Sequence, residues 1–123
     1  MLSERYATPE MNEVWSELGK ARMERRFWVA VLRAQRELGL EVPQEALEAY
    51  ERAVDQVDLE AIKEIEARTR HDVKAKIEAF NRDAGGYQYI HLGLTSRDVT
   101  DNVEQIQIRD AMRLVHGKFV SVL

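Results

Sequence analysis

Cysteine is missing from all 123 residues, which excludes a disulfide framework and any thiol chemistry. Proline and glycine are scarce, two and six residues, too few for a β-sandwich or a disordered chain. No apolar run exceeds the six residues from Phe27 to Leu32, far below the roughly 20 that cross a bilayer, so no membrane partner is expected. The opening residues 1–6, Met-Leu-Ser-Glu-Arg-Tyr, are charged at once and do not resemble a signal peptide. A soluble, cytoplasmic protein is the expectation. Excess positive charge is lacking too: the net charge is −4, which disfavours a nucleic-acid partner. The first 86 residues show no sustained alternation of period two, no repeat and no low-complexity linker.

What is present has helical periodicity throughout, and the fold class expected is all-α. Residues 1–7 lack periodicity and are expected to form an extended arm. Thr8-Pro9 supplies a hydroxyl cap and a proline at the first helical position, opening a short helix that Gly19 is expected to close. Its apolar residues are Met11, Val14, Trp15 and Leu18. A long helix is predicted over 20–38, with Met23, Phe27, Ala30, Val31, Ala34 and Leu38 on its inner face and Gly39 as its stop. Pro43 begins a third helix with Leu47, Tyr50 and Val54 inward, and Asp58 caps a fourth that carries Leu59, Ile62 and Ile65. A fifth has Val73, Ile77, Phe80 and Ala84 as its stripe and ends at Gly85-Gly86. From about Asp98 a last helix runs off the sequence, with Val99, Val103 and Ile106 on one stripe and Ile108, Met112, Val115, Phe119 and Val122 on another. The charges are unevenly spread. Residues 20–38 carry six basic and two acidic side chains, whereas 41–66 carry nine acidic and two basic, which reads as solvated faces of opposite sign.

Two stretches carry chemistry-bearing residues. The segment from Tyr87 to Asn102 holds His91, Gly93, Thr95 and Ser96 on a tight turn, followed by Asp98 at capping-box spacing from Thr95. A helix N-terminus with free N–H groups and two hydroxyls can receive a carboxylate or phosphate. By spacing alone, the Thr-Ser pair is first of all a cap, and His91 a hydrogen-bonded loop histidine. The other stretch is Arg70-His71-Asp72. Histidine suits proton transfer near neutrality, arginine offers a forked anion donor, and aspartate can orient an imidazole. On residue type alone, Asp72 reads first of all as an N-cap and His71 as a surface residue. His71, Asp72 and His91 are a poor zinc set without cysteine or a third clustered histidine, so no metal is expected.

Residues 91–99, His-Leu-Gly-Leu-Thr-Ser-Arg-Asp-Val, resemble the His-X-Gly-Leu-Thr-Ser-X-Asp-Val segment of the adenylosuccinate lyases, within the fumarase/aspartase superfamily. Residues 69–73, Thr-Arg-His-Asp-Val, resemble a second run of that family, and His71 precedes His91 by twenty positions, the family's interval. Arg5-Tyr6 before Thr-Pro-Glu-Met resembles the family's N-terminal arm, where such a pair contacts nucleotide. The resemblance implies a lyase of purine and AMP biosynthesis that eliminates fumarate from adenylosuccinate, and from the related carboxamide ribotide, without a cofactor. It implies His71 and His91 as catalytic-site histidines, with Arg5, Tyr6, Arg70, His71, Asp72, Thr95 and Ser96 binding substrate. It further implies a homotetramer with shared active sites. Residues 1–97 would be the N-terminal helical domain, and 98–123 the start of a central helical bundle. The family's later histidine acid and serine-loop base have no counterpart here; His116 lacks their surrounding pattern. The chain stops in mid-pattern on the apolar Val-Ser-Val-Leu at 120–123, so it is expected to be an N-terminal piece, inactive alone. Rival readings are another superfamily lyase for a succinyl or dicarboxylate substrate, or a non-catalytic helical interaction module.

Overall fold

Residues 6–123 are described, as a computed structural model, and among them every regular element is a helix. The helices are α1 (Pro9–Trp15), α2 (Glu17–Glu37), α3 (Gln44–Ala53), α4 (Leu59–Thr69), α5 (Asp72–Asp83) and α6 (Ser96–Val120). The all-α expectation holds. Arg5 lies outside the described residues. Tyr6 is already helical, which corrects the extended arm expected over that position.

Local chemistry sets most boundaries. The Thr8 hydroxyl accepts the Met11 N–H at 3.4 Å, with proline opening α1. The Asp58 carboxylate accepts the Ala61 N–H at 3.0 Å, opening α4. Gly39, at φ 101°, takes the left-handed turn that closes α2, and its N–H reaches the Arg36 carbonyl. One boundary differs from expectation. Ser16 ends α1 through its N–H to the Asn12 carbonyl, and it starts α2 by accepting the Gly19 N–H on its hydroxyl at 2.9 Å. Gly19 is therefore no stop. It lies buried in the first turn of α2, where a Cβ would sit 1.8 Å from the Glu13 carbonyl oxygen. Only a residue without a side chain lets α1 fold back this closely. Gly19→Ala should destabilise the fold by about 1–3 kcal/mol, the scale of overpacking. A urea midpoint unchanged by the substitution would show that the corner yields freely.

The inner face of α2 is also rotated from the expected stripe. Ala21, Trp28, Val29 and Leu32 are buried, while Ala30 and Ala34 are exposed and Leu38 is 88% exposed. The cause is a pair of charged side chains inside. Glu24 and Arg25 are almost fully buried. Arg25 donates to the Ala53 carbonyl at 2.7 Å and the Gln56 carbonyl at 3.1 Å, and it pairs with Asp83 at 2.6 Å. Its guanidinium also lies 4.6 Å from the Phe80 ring centroid. Burial pulls its pKa below the ordinary value, while Asp83 holds it up. Glu24 takes Lys76 at 2.8 Å. An apolar count places both residues outside, but their partners make burial tolerable. Trp15, expected inward on α1, is 51% exposed.

The main core joins Trp28, Leu32, Leu47, Tyr50, Phe80 and Val99 with their neighbours from α2, α3, α5 and α6. A smaller cluster of Ile62, Ala75 and Ala79 seals α4 against α5. The first half of α6 is anchored by Val99, Val103 and Gln107; the Gln107 amide donates to the Val14 carbonyl at 2.6 Å. Its second half leaves Ile108, Met112, Val115 and Phe119 exposed, Phe119 by 69%. No helix of the described residues is long and apolar enough to cross a membrane.

Candidate functional site

The turn over 87–95 is held from beneath by two core side chains. The Tyr50 hydroxyl lies 2.7 Å from the Tyr87 carbonyl and 2.6 Å from Asn81 Oδ1, and it accepts the Tyr89 N–H at 3.1 Å. Burial raises the pKa of this phenol, so it stays neutral and keeps its proton to donate. Gln35 on α2 donates to the Leu92 carbonyl at 2.9 Å. Ile90 is buried, which pins the start of the turn to the core.

His91 sits at the apex with φ 65°, a left-handed conformation rare outside glycine, and Gly93 shares it at 70°. Trp28 supplies the compensating bond: its indole N–H donates to His91 Nδ1 at 3.1 Å, the rings meeting edge-on at 6.0 Å. Burial pushes the His91 imidazole pKa down; Asp98 pulls it up, and His71 pushes it further down.

Thr95 caps α6 in a complete capping box. Its hydroxyl accepts the Asp98 N–H at 3.4 Å, and the Asp98 carboxylate accepts the Thr95 N–H at 2.6 Å. The helix starts two residues before the expected Asp98. Ser96 is the first helical residue, and its hydroxyl has no partner among the described residues. Helix geometry leaves the N–H groups of Ser96 and Arg97 without an intrahelical acceptor. The donors at this end are therefore the Thr95 and Ser96 hydroxyls and two backbone amides, with the macrodipole's positive end behind them.

His71, not Asp72, is the N-cap of α5, which corrects the sequence reading. Its Nδ1 accepts the Lys74 N–H at 3.2 Å. Asp72 lies 3.6 Å from that same nitrogen and is well exposed. The reversal follows from Arg70, whose φ of 55° ends α4 in a left-handed turn. The chain then re-enters a helix with only His71 extended between the two. Arg70 is exposed on the α4 side of this corner, beside Lys63 and Glu66. Tyr6 is 75% exposed ahead of α1. Among the described residues no three His, Cys, Asp or Glu side chains converge as metal ligands. Reasoning from sequence missed Trp28 and Gln35. Trp28 sits in an apolar run and reads as core, and nothing in the sequence points to a partner 63 positions away.

No family profile matches the chain. Curated relatives do. It is 39% identical over 114 residues to the adenylosuccinate lyase of Archaeoglobus fulgidus, and 39% identical over 118 residues to that of Methanocaldococcus jannaschii; each match takes in 93% of this chain. The adenylosuccinate lyase of Saccharomyces cerevisiae is 39% identical over 126 residues, taking in 99% of it. The chain spans about a quarter of the length of these relatives.

Proposed function

Because the chain is related by sequence to the adenylosuccinate lyases over nearly all its residues, we propose that it is the N-terminal helical part of such an enzyme. In this reading residues 1–97 form the N-terminal domain, and 98–123 begin the central bundle, the boundary falling within the first turn of α6. The complete protein eliminates fumarate from adenylosuccinate to give AMP, and from the related carboxamide ribotide, in the cytoplasm and without a cofactor. A base takes the proton beside a carboxylate. An acid protonates the departing nitrogen as the carbon–nitrogen bond breaks. Negative charge gathers on the succinyl carboxylates in between, where fixed donors lower the barrier most.

The observation that carries this reading is the opening of α6. There the Ser96 hydroxyl, without a partner among the described residues, and the free first-turn amides open α6, and the turn that carries His91 leads directly into them. Thr95 and Ser96 would take the succinyl carboxylates. Arg70, His71 and Asp72 would serve the phosphate end, with Arg5 and Tyr6 closing on the nucleotide. The base and the acid come from beyond residue 123, and subunits of a homotetramer share the sites. The test is direct: the complete protein, supplied with adenylosuccinate, should release fumarate, and a panel of other succinyl and dicarboxylate substrates should react far more slowly. Preference for another substrate would move the protein elsewhere in the superfamily. No turnover of any would favour the helical interaction module.

The 123 residues alone should be helical by circular dichroism, self-associating by light scattering and silent in a fumarate assay. Positioning the reacting groups is worth about 7–11 kcal/mol of barrier, and half of them are absent here. The exposed stripe through Met112 and Phe119 is the patch that drives association. Turnover by the isolated chain, abolished by Thr95→Ala so that contamination is excluded, would overturn this placement of the catalytic groups.

A further inference from the structure

Both histidines of the candidate site present the same nitrogen to a hydrogen bond that the fold imposes. Trp28 is 1% exposed, in the centre of the core, and its indole N–H can only donate. At 3.1 Å it points at His91 Nδ1. A proton on that nitrogen would set N–H against N–H inside the protein and leave the indole donor unpaired, a costly arrangement. The neutral imidazole of His91 must therefore carry its proton on Nε2. His71 reaches the same state by a different route. Its Nδ1 faces the backbone N–H of Lys74 at 3.2 Å, another group that cannot accept. Two imidazoles from two separate elements, held by two unrelated donors, thus share one tautomer.

We propose that Trp28 is a positioning residue for the site, holding His91 as a neutral Nε2–H imidazole, and that His91 and His71 act there as hydrogen-bond donors rather than proton acceptors. The titratable groups acting on His91 are Asp98, from the first turn of α6, and His71, from the start of α5; α2 presents the neutral Trp28. The lone pair that would take a proton is turned to the core on His91 and to the α5 backbone on His71. The face left over on each ring is an N–H, suited to an anionic oxygen of a ligand. The indole also holds His91 in its left-handed turn, with Gln35 bracing the next carbonyl. This inference rests on the proposed lyase reading only for its kinetic consequence; the tautomer is a property of the fold.

The experiment is solid-state 15N NMR of the complete protein labelled at histidine, with the His91 and His71 resonances identified by their loss in His91→Gln and His71→Asn. Both rings should show the proton on Nε2 at a pH where they are neutral. Trp28→Phe keeps a buried ring and removes only the N–H. It should convert His91 to mixed tautomers and leave His71, whose donor is backbone, unchanged. A proton on Nδ1 of His91 in the unmodified protein overturns the proposal, and so does an unaltered His91 in a folded Trp28→Phe protein. Should Trp28→Phe fail to fold, the spectrum of the unmodified protein decides by itself. In the adenylosuccinate assay Trp28→Phe should lower kcat/KM about tenfold, the scale of one misplaced hydrogen bond, mostly through KM. An unchanged kcat/KM removes the positioning role. A complete protein inert towards adenylosuccinate but showing the Nε2–H spectrum would sink the lyase reading and leave the lock standing.

Discussion

Ser96→Ala in the complete enzyme is expected to lower kcat/KM by about 10²-fold or more while barely changing stability. The hydroxyl has no partner among the described residues, so its removal costs the fold nothing that the structure displays. Its place, first in α6 beside free backbone amides, is where a developing carboxylate charge would be met. Thr95→Ala should lose activity on the same scale but carry a second penalty. The Thr95 oxygen accepts the Asp98 N–H, and losing such a cap costs about 1 kcal/mol. The two neighbours should thus separate in a paired measurement of turnover and thermal midpoint, as the capping-box spacing from Thr95 to Asp98 implies. Activity that survives the double substitution would return both residues to capping alone.

His71→Ala should depress turnover by about 10²-fold or more, whereas His116→Ala should leave it nearly unchanged. His71 stands between Arg70 and Asp72 at the start of α5, and His116 is exposed on the unsupported half of α6. Because His71 also caps α5 through Nδ1, the alanine variant confounds two roles. His71→Asn resolves them: asparagine is a good N-cap, so stability should recover while activity does not. His116→Ala should shift stability by no more than about 0.5 kcal/mol, as surface changes do. Equal losses at 71 and 116 under saturating substrate would show that His71 has no special part in the chemistry.

Most boundaries governed by neighbouring residues were readable, the Ser16 corner and the His71 cap being the exceptions. Thr8-Pro9, Gly39, Asp58, Gly85-Gly86 and the Thr95 to Asp98 box all act within four positions of themselves, and each stands as expected. Other failures occur where a distant partner changes what a residue prefers. The face of α2 could not be read, because Glu24 and Arg25 look like solvent residues until Lys76 and Asp83 stand opposite them. Gly19 reads as punctuation until the Glu13 carbonyl is seen against it. At the site, the motif residues themselves were legible as residue types in a pattern, but their hydrogen-bonding states were not. The proton position on His91 depends on an indole from α2, and the cap role passed from Asp72 to His71 because Arg70 adopts a left-handed turn.

The bond from Gln107 to the Val14 carbonyl joins residues 93 positions apart. Closing so long a loop costs conformational entropy before any contact rewards it. The α4–α5 pair, sealed by contacts local in sequence, can form while the chain is still open elsewhere. Joining α1 to α6 therefore carries a larger closure cost than joining α4 to α5.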